Sequence, residues 1–153
     1  MAINGSGLFV STIIDIFDDT QLGVDLSSET QLKAALYPGT ITPNYDAAAA
    51  SAAYGAGVFS GTEITGTGYT AGGVTVTSTT VTGSSGVLTF DAADLSWASS
   101  TLSGVRGVLI YADGLAGKNA IILVDLGASY STSNGTLAVT WAAGGIFTLD
   151  LVP

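Results

Sequence analysis

Gly104-Val105-Arg106-Gly107-Val108-Leu109-Ile110-Tyr111 and Ala120-Ile121-Ile122-Leu123-Val124-Asp125-Leu126 are dense apolar runs that decide the fold class. Each is short, rich in β-branched residues and without helical spacing of its polar positions, which reads as a strand buried on both faces. Between them lies Asp113-Gly114-Leu115-Ala116-Gly117-Lys118-Asn119, a turn-forming stretch. The two runs are therefore expected to pair and to lie at the centre of a sheet.

Further strands are read outward from this pair. Thr136–Trp141 and Ile146–Leu151 alternate across Ala142-Ala143-Gly144-Gly145, which predicts a hairpin. Val87–Phe90 and Leu95–Trp97 flank the turn Asp91-Ala92-Ala93-Asp94. Val74–Thr82 is an uncharged Thr/Val run expected to form one strand, and as a free edge it would invite pairing with another chain. Gln31–Tyr37 reads as a strand ending at Pro38. Two helical stretches are expected. Leu8–Phe17 places Phe9, Ile13, Ile16 and Phe17 on one face with Ser6 as a cap, a strand being the alternative for so β-branched a run, and Asp46 caps a helical turn or two in the alanine-rich Ala47–Ala53. The count of about eight short strands predicts a mainly β fold, an antiparallel β-sandwich or jelly-roll-like barrel. It would form a single domain over residues 1–153, with 1–20 as a short N-terminal helix or arm.

The chain has 153 residues, 47% hydrophobic and only 10% charged, with 21 Gly. An average soluble domain is about 25% charged, so this surface relies on hydroxyl and backbone groups and suits contact with other protein. Twelve acidic residues against three basic ones (Lys33, Arg106 and Lys118) leave a net charge of −9. Nucleic acid and anionic membranes, which both recruit Lys and Arg, are disfavoured as partners. Mean hydropathy is +0.53, yet the apolar runs fall far short of the roughly 20 residues a membrane span needs. The start Met1-Ala2-Ile3-Asn4-Gly5 lacks the basic, apolar pattern of a secretory signal, so none is expected.

There is no Cys and no His. Thiol nucleophiles, disulfides, imidazole bases and most zinc sites are thereby removed, and no cofactor is expected. Carboxylates remain. Asp91 and Asp94 would suit a glycosidase pair, but Asp in turns ordinarily binds its own backbone. Asp15, Asp18 and Asp19 would suit a hard cation, without completing a known loop pattern. Gly66–Gly73 shares glycine content with phosphate loops but lacks their Lys. Trp97 and Trp141 are read as core residues. The loop residues Tyr45, Tyr54 and Tyr69 are the candidates for contact between protein chains.

Several phrases in order resemble a known family: Gln31–Tyr37, Ile41–Asp46, Glu63–Val74, Phe90–Trp97 and Trp141–Leu149. Together they are similar to small virion proteins encoded in the structural-gene clusters of tailed bacteriophages. The likeness covers most of the chain from about residue 30 onward. It implies a non-enzymatic component of the virion, assembled in the bacterial cytoplasm and partnered by the major capsid protein or other virion proteins. A head-decoration or head-fibre role comes first and a neck or tail role second. The family carries no catalytic residues to transfer. A receptor- or carbohydrate-binding module using the Tyr or Trp side chains is the reading from a different class. Closed symmetry and the uncharged Val74–Thr82 run favour a homo-oligomer, with a trimer expected, or else a chain fully surrounded by neighbouring virion chains.

Overall fold

The computed structural model describes residues 3–152. In chain order the elements are β1 (Gly7–Leu8), α1 (Val10–Phe17), β2 (Leu32–Pro38), a 3-10 turn (Gly57–Phe59), β3 (Val74–Thr75), β4 (Thr80–Ser84), β5 (Val87–Asp91), β6 (Leu95–Ser100), β7 (Val105–Ala112), β8 (Ala120–Tyr130), β9 (Gly135–Val139) and β10 (Phe147–Asp150). The protein is mainly β, with antiparallel sheets and one short N-terminal helix in a sandwich-like arrangement. A five-stranded sheet runs β1-β8-β7-β2-β3, and two smaller sheets run β10-β5-β4 and β6-β9.

The period of two along β2 and β7 explains the layers. Leu32, Ala34 and Leu36 of β2 and Val108, Ile110 and Ala112 of β7 point one way, into a core shared with Phe90, Leu95, Trp97, Leu137 and Val139 of the smaller sheets. The intervening Ala35, Tyr37, Leu109 and Tyr111 point the other way, against Ile3, Phe9, Ile41, Ala52 and Phe59. The large sheet is thus buried on both faces, as its dense apolar runs predict. Burial of side chains such as Phe9, Phe59 and Phe90 stabilises the fold by roughly 1.5–3 kcal/mol each. The pairing of β7 with β8 is antiparallel and slips by one residue near Ile121.

Four local expectations are corrected. Val74–Thr82 does not form one strand: β3 joins the large sheet and β4 a smaller one. Between them Val76 is drawn fully into the core, its N–H donating to Leu32 O at 3.1 Å. Ser78 then turns at φ 53° and donates its N–H to the Glu29 carboxylate. Asp46–Ala53 forms no helix beyond a single turn, in which Ala52 N–H donates to Ala48 O at 3.0 Å, because the β8 end captures its backbone. Ala120 N–H donates to Ala52 O at 2.9 Å, and Tyr54 N–H donates to Lys118 O at 3.0 Å. Sheet bonds here override the helix propensity of alanine.

The expected hairpin of Thr136–Trp141 with Ile146–Leu151 is also absent: β9 pairs with β6, and β10 pairs with β5. Trp141 N–H donates to Asp94 Oδ1 and its indole N–H to Ala93 O, both at 3.0 Å, while Ile146 N–H donates to Phe90 O at 2.8 Å. The link therefore crosses from one small sheet to the other. Helix α1 forms as expected, but Phe9 is its N-cap without a side-chain bond. Ser6 Oγ instead accepts from Asp125 N–H at 2.8 Å, and Phe17 turns outward.

Candidate functional site

The three contact candidates from the sequence lie in two places, each engaged with the chain's own backbone. Tyr45 clamps the N-terminal arm. Its hydroxyl donates to Gly5 O at 2.7 Å, its ring centroid lies 5.3 Å from that of Phe9, and its carbonyl accepts from Val10 N–H at 2.9 Å. A Cβ on Gly7 would stand 2.7 Å from the Tyr45 ring, so glycine lets the arm lie this close. Burial, reinforced by the Asp125 charge, raises the Tyr45 phenol above its ordinary pKa.

Tyr54 and Tyr69 converge on one carboxylate, Glu63. Glu63 precedes the buried Ile64, whose N–H donates to Leu36 O at 2.9 Å and holds this segment on β2. Oε2 accepts from the Tyr54 hydroxyl at 2.7 Å, and Oε1 accepts from the Tyr69 hydroxyl at 2.5 Å and from Gly72 N–H at 2.7 Å. The Tyr69 oxygen in turn accepts from Leu36 N–H at 2.9 Å. Tyr54 stacks on Tyr111 at 4.4 Å between centroids, and Tyr111 donates to Gly72 O at 2.9 Å. The cluster rivets the glycine-rich loop to β2 and β7.

Its electrostatics favour holding over reacting. Burial, followed by the bond to Glu63, pushes the Tyr54 phenol up to about 12. Tyr69 is raised by burial and then by Glu63, Tyr111 by burial and then by Asp113, and Tyr37 by burial and then by Glu63. At neutral pH these hydroxyls stay protonated and act as donors. Lys118 Nζ lies 5.6 Å from the Tyr54 ring centroid and 2.8 Å from Asp113 Oδ1, with Lys33 Nζ 2.9 Å from Asp113 Oδ2. Tyr54 also lines an open groove of about 310 Å³ with Lys118, Asn119 and the small residues Ala49 and Ala50.

The carboxylates singled out in the sequence hold backbone N–H groups of the chain itself. Asp91 Oδ1 accepts from the adjacent Ala92 N–H at 2.9 Å, a turn contact, whereas Asp94 Oδ1 accepts from the distant Trp141 N–H and ties two segments together. Asp18 Oδ1 accepts from Thr20 N–H at 2.8 Å. Among the described residues no three metal-ligating side chains come together, so Asp15, Asp18 and Asp19 do not form a cation cage. Gly66–Gly73 is spent on backbone packing: at Gly73, φ 74°, a Cβ would lie 1.8 Å from Ala34 O. Trp97 is buried and Trp141 half-buried.

Glu63 is not among the candidate residues that the sequence marks by type and position. A signal was present, since it is the sole charged residue between Asp46 and Asp91. A charge isolated in so apolar a stretch needs buried donors.

The outer surface has a different character. All five residues of β4 are exposed, and its ladder is with β5 alone. Among the described residues no helix is long and apolar enough to cross a membrane. No protein-family model matches the chain, and neither a curated protein nor a solved structure matches it.

Proposed function

We propose that the chain is a non-enzymatic structural subunit of a tailed-bacteriophage virion, seated on the outer head surface as a decoration protein. The observation that carries the assembly role is β4. Thr80-Val81-Thr82-Gly83-Ser84 is an uncharged, exposed edge with no strand on its outer side among the described residues. Proteins that work as free monomers guard such an edge with Lys, Pro or a bulge. Here it is free to take a neighbouring strand, either from a second copy in a closed homo-oligomer, with a trimer expected, or from another virion chain. The phage head as location rests on the family resemblance of residues 31–149 and on the low surface charge.

The test is add-back. Purified chain is mixed with phage heads that lack it, and both binding and the temperature at which the heads release DNA are measured. Saturable binding with later DNA release is the expected result. Failure to bind heads, with the chain recovered only from tails, would move the protein to the neck or tail and overturn the decoration role.

A further inference from the structure

Helix α1 is anchored on one side and bare on the other. The Thr12 hydroxyl, fully buried, donates to Ala120 O at 2.5 Å, and Phe9 N–H donates to Ile121 O at 3.0 Å. On the far side Val10, Ile14 and Phe17 are 43%, 53% and 83% exposed. Spaced four and three residues apart, they form one apolar stripe. The exposed Asp18 and Asp19 follow its C-terminal end directly, and the last helical turn carries no basic residue. Helix carbonyls already make that end partly negative, so acids placed there are locally unfavourable in the isolated chain. A cationic rim on an incoming surface would reverse the sign of that interaction.

This chemistry points away from a second copy as the occupant. The chain has only three cations, and each is already in an ion pair: Lys33 and Lys118 with Asp113, Arg106 with Asp125. Among the described residues no Lys or Arg side chain is left unpaired to meet the acidic helix end of a second copy, and each copy carries a net charge of −9. We infer that α1 is a docking knob for a different protein, one that offers an apolar cleft rimmed by Lys and Arg. Phe17 is the central anchor and Asp18 and Asp19 set the charge match. The inference deepens the virion reading by giving the chemistry of the partner surface, and it rests on that reading for the partner's place in a particle.

The probe is a synthetic amphipathic helical peptide of leucine and lysine, with a leucine–glutamate peptide and a serine–lysine peptide as controls. Binding to the full chain is followed by fluorescence anisotropy. The leucine–lysine peptide should bind in preference to both controls. Phe17→Ser and Ile14→Ser should each weaken it about tenfold, while Leu151→Ser, at a separate exposed apolar position, should not. Replacing Asp18 and Asp19 together by Asn should weaken binding and flatten its dependence on salt. Because the substituted side chains are exposed, the variants should keep the wild-type circular dichroism. Equal peptide binding by wild type and Phe17→Ser would overturn the inference. So would a wild-type dimer in sedimentation that Phe17→Ser converts to monomer, since the occupant would then be a second copy. The two readings fail separately: a chain absent from phage heads overturns the decoration role, whereas the peptide and sedimentation results decide the role of the helix.

Discussion

The Tyr69 hydroxyl donates to Glu63 Oε1 at 2.5 Å while its oxygen accepts from the backbone N–H of Leu36 at 2.9 Å, so one phenol joins a loop carboxylate to a central strand. Removing that oxygen leaves a strand N–H and a carboxylate lone pair without their partner. Tyr69→Phe should destabilise the protein by about 1–3 kcal/mol, measured as a shift in the urea midpoint at unchanged slope. Combined with Glu63→Ala, the two losses should fall short of their sum, because the substitutions share one interaction. Strict additivity would show that the cluster is not a coupled unit.

Alkali should expose the same network. Tyr54 has a folded pKa of about 12, above the roughly 10 of an unfolded tyrosine, and Tyr37, Tyr69 and Tyr111 are also raised. Between those values the folded state binds more protons than the unfolded state. The stabilisation is therefore fully present below pH ~10 and is lost as pH rises through the folded values. Ultraviolet titration of phenolate should show these tyrosines ionising together with loss of β circular dichroism. Independent titration near pH ~10, in a chain that stays folded, would contradict the burial described for them.

Two glycines with similar torsion angles separate strain from contact. Gly73 and Gly55 have φ 74° and 77°, but a Cβ meets Ala34 O at 1.8 Å in the first case and open space in the second. Gly55→Ala should cost about 1–2 kcal/mol, the ordinary penalty of a left-handed residue. Gly73→Ala should cost at least about 3 kcal/mol or prevent folding, because β2 backbone has to move. Thermal melts of the two variants side by side provide the comparison.

The central pair was legible because its information is local: Val105–Ala112 and Ala120–Tyr130 are apolar without interruption at their core and are separated by a glycine-containing turn. Elements decided by distant partners were not. Alanine propensity at Ala47–Ala53 is opposed by bonds to Lys118 and Ala120, residues far along the chain. The alternation across Ala142–Gly145 has the form of a hairpin, but Asp94 and Ala93 hold Trp141 and send the next strand to a different sheet. The break within Val74–Thr82 depends on Glu29, more than forty residues earlier. As for the site, Tyr45, Tyr54 and Tyr69 were marked by type and loop position. That two of them meet at Glu63 becomes visible only once the loop is folded onto β2.

A charge placed on β4 should block lateral pairing while leaving the domain intact. Val81 is 42% exposed and contributes to the uncharged edge, so Val81→Lys should cost less than about 1 kcal/mol in stability. In sedimentation it should shift an oligomeric wild type to a smaller species. A wild-type chain that remains monomeric at high concentration would require the edge to be covered by a different virion chain.

The most direct measurement is a density map of the intact phage particle at a resolution that traces its chains. The account predicts this chain on the outer face of the head, with Thr80–Ser84 paired or covered by a neighbouring chain. A head without it, or a copy whose β4 edge stands open to solvent in the finished particle, would contradict the central claim.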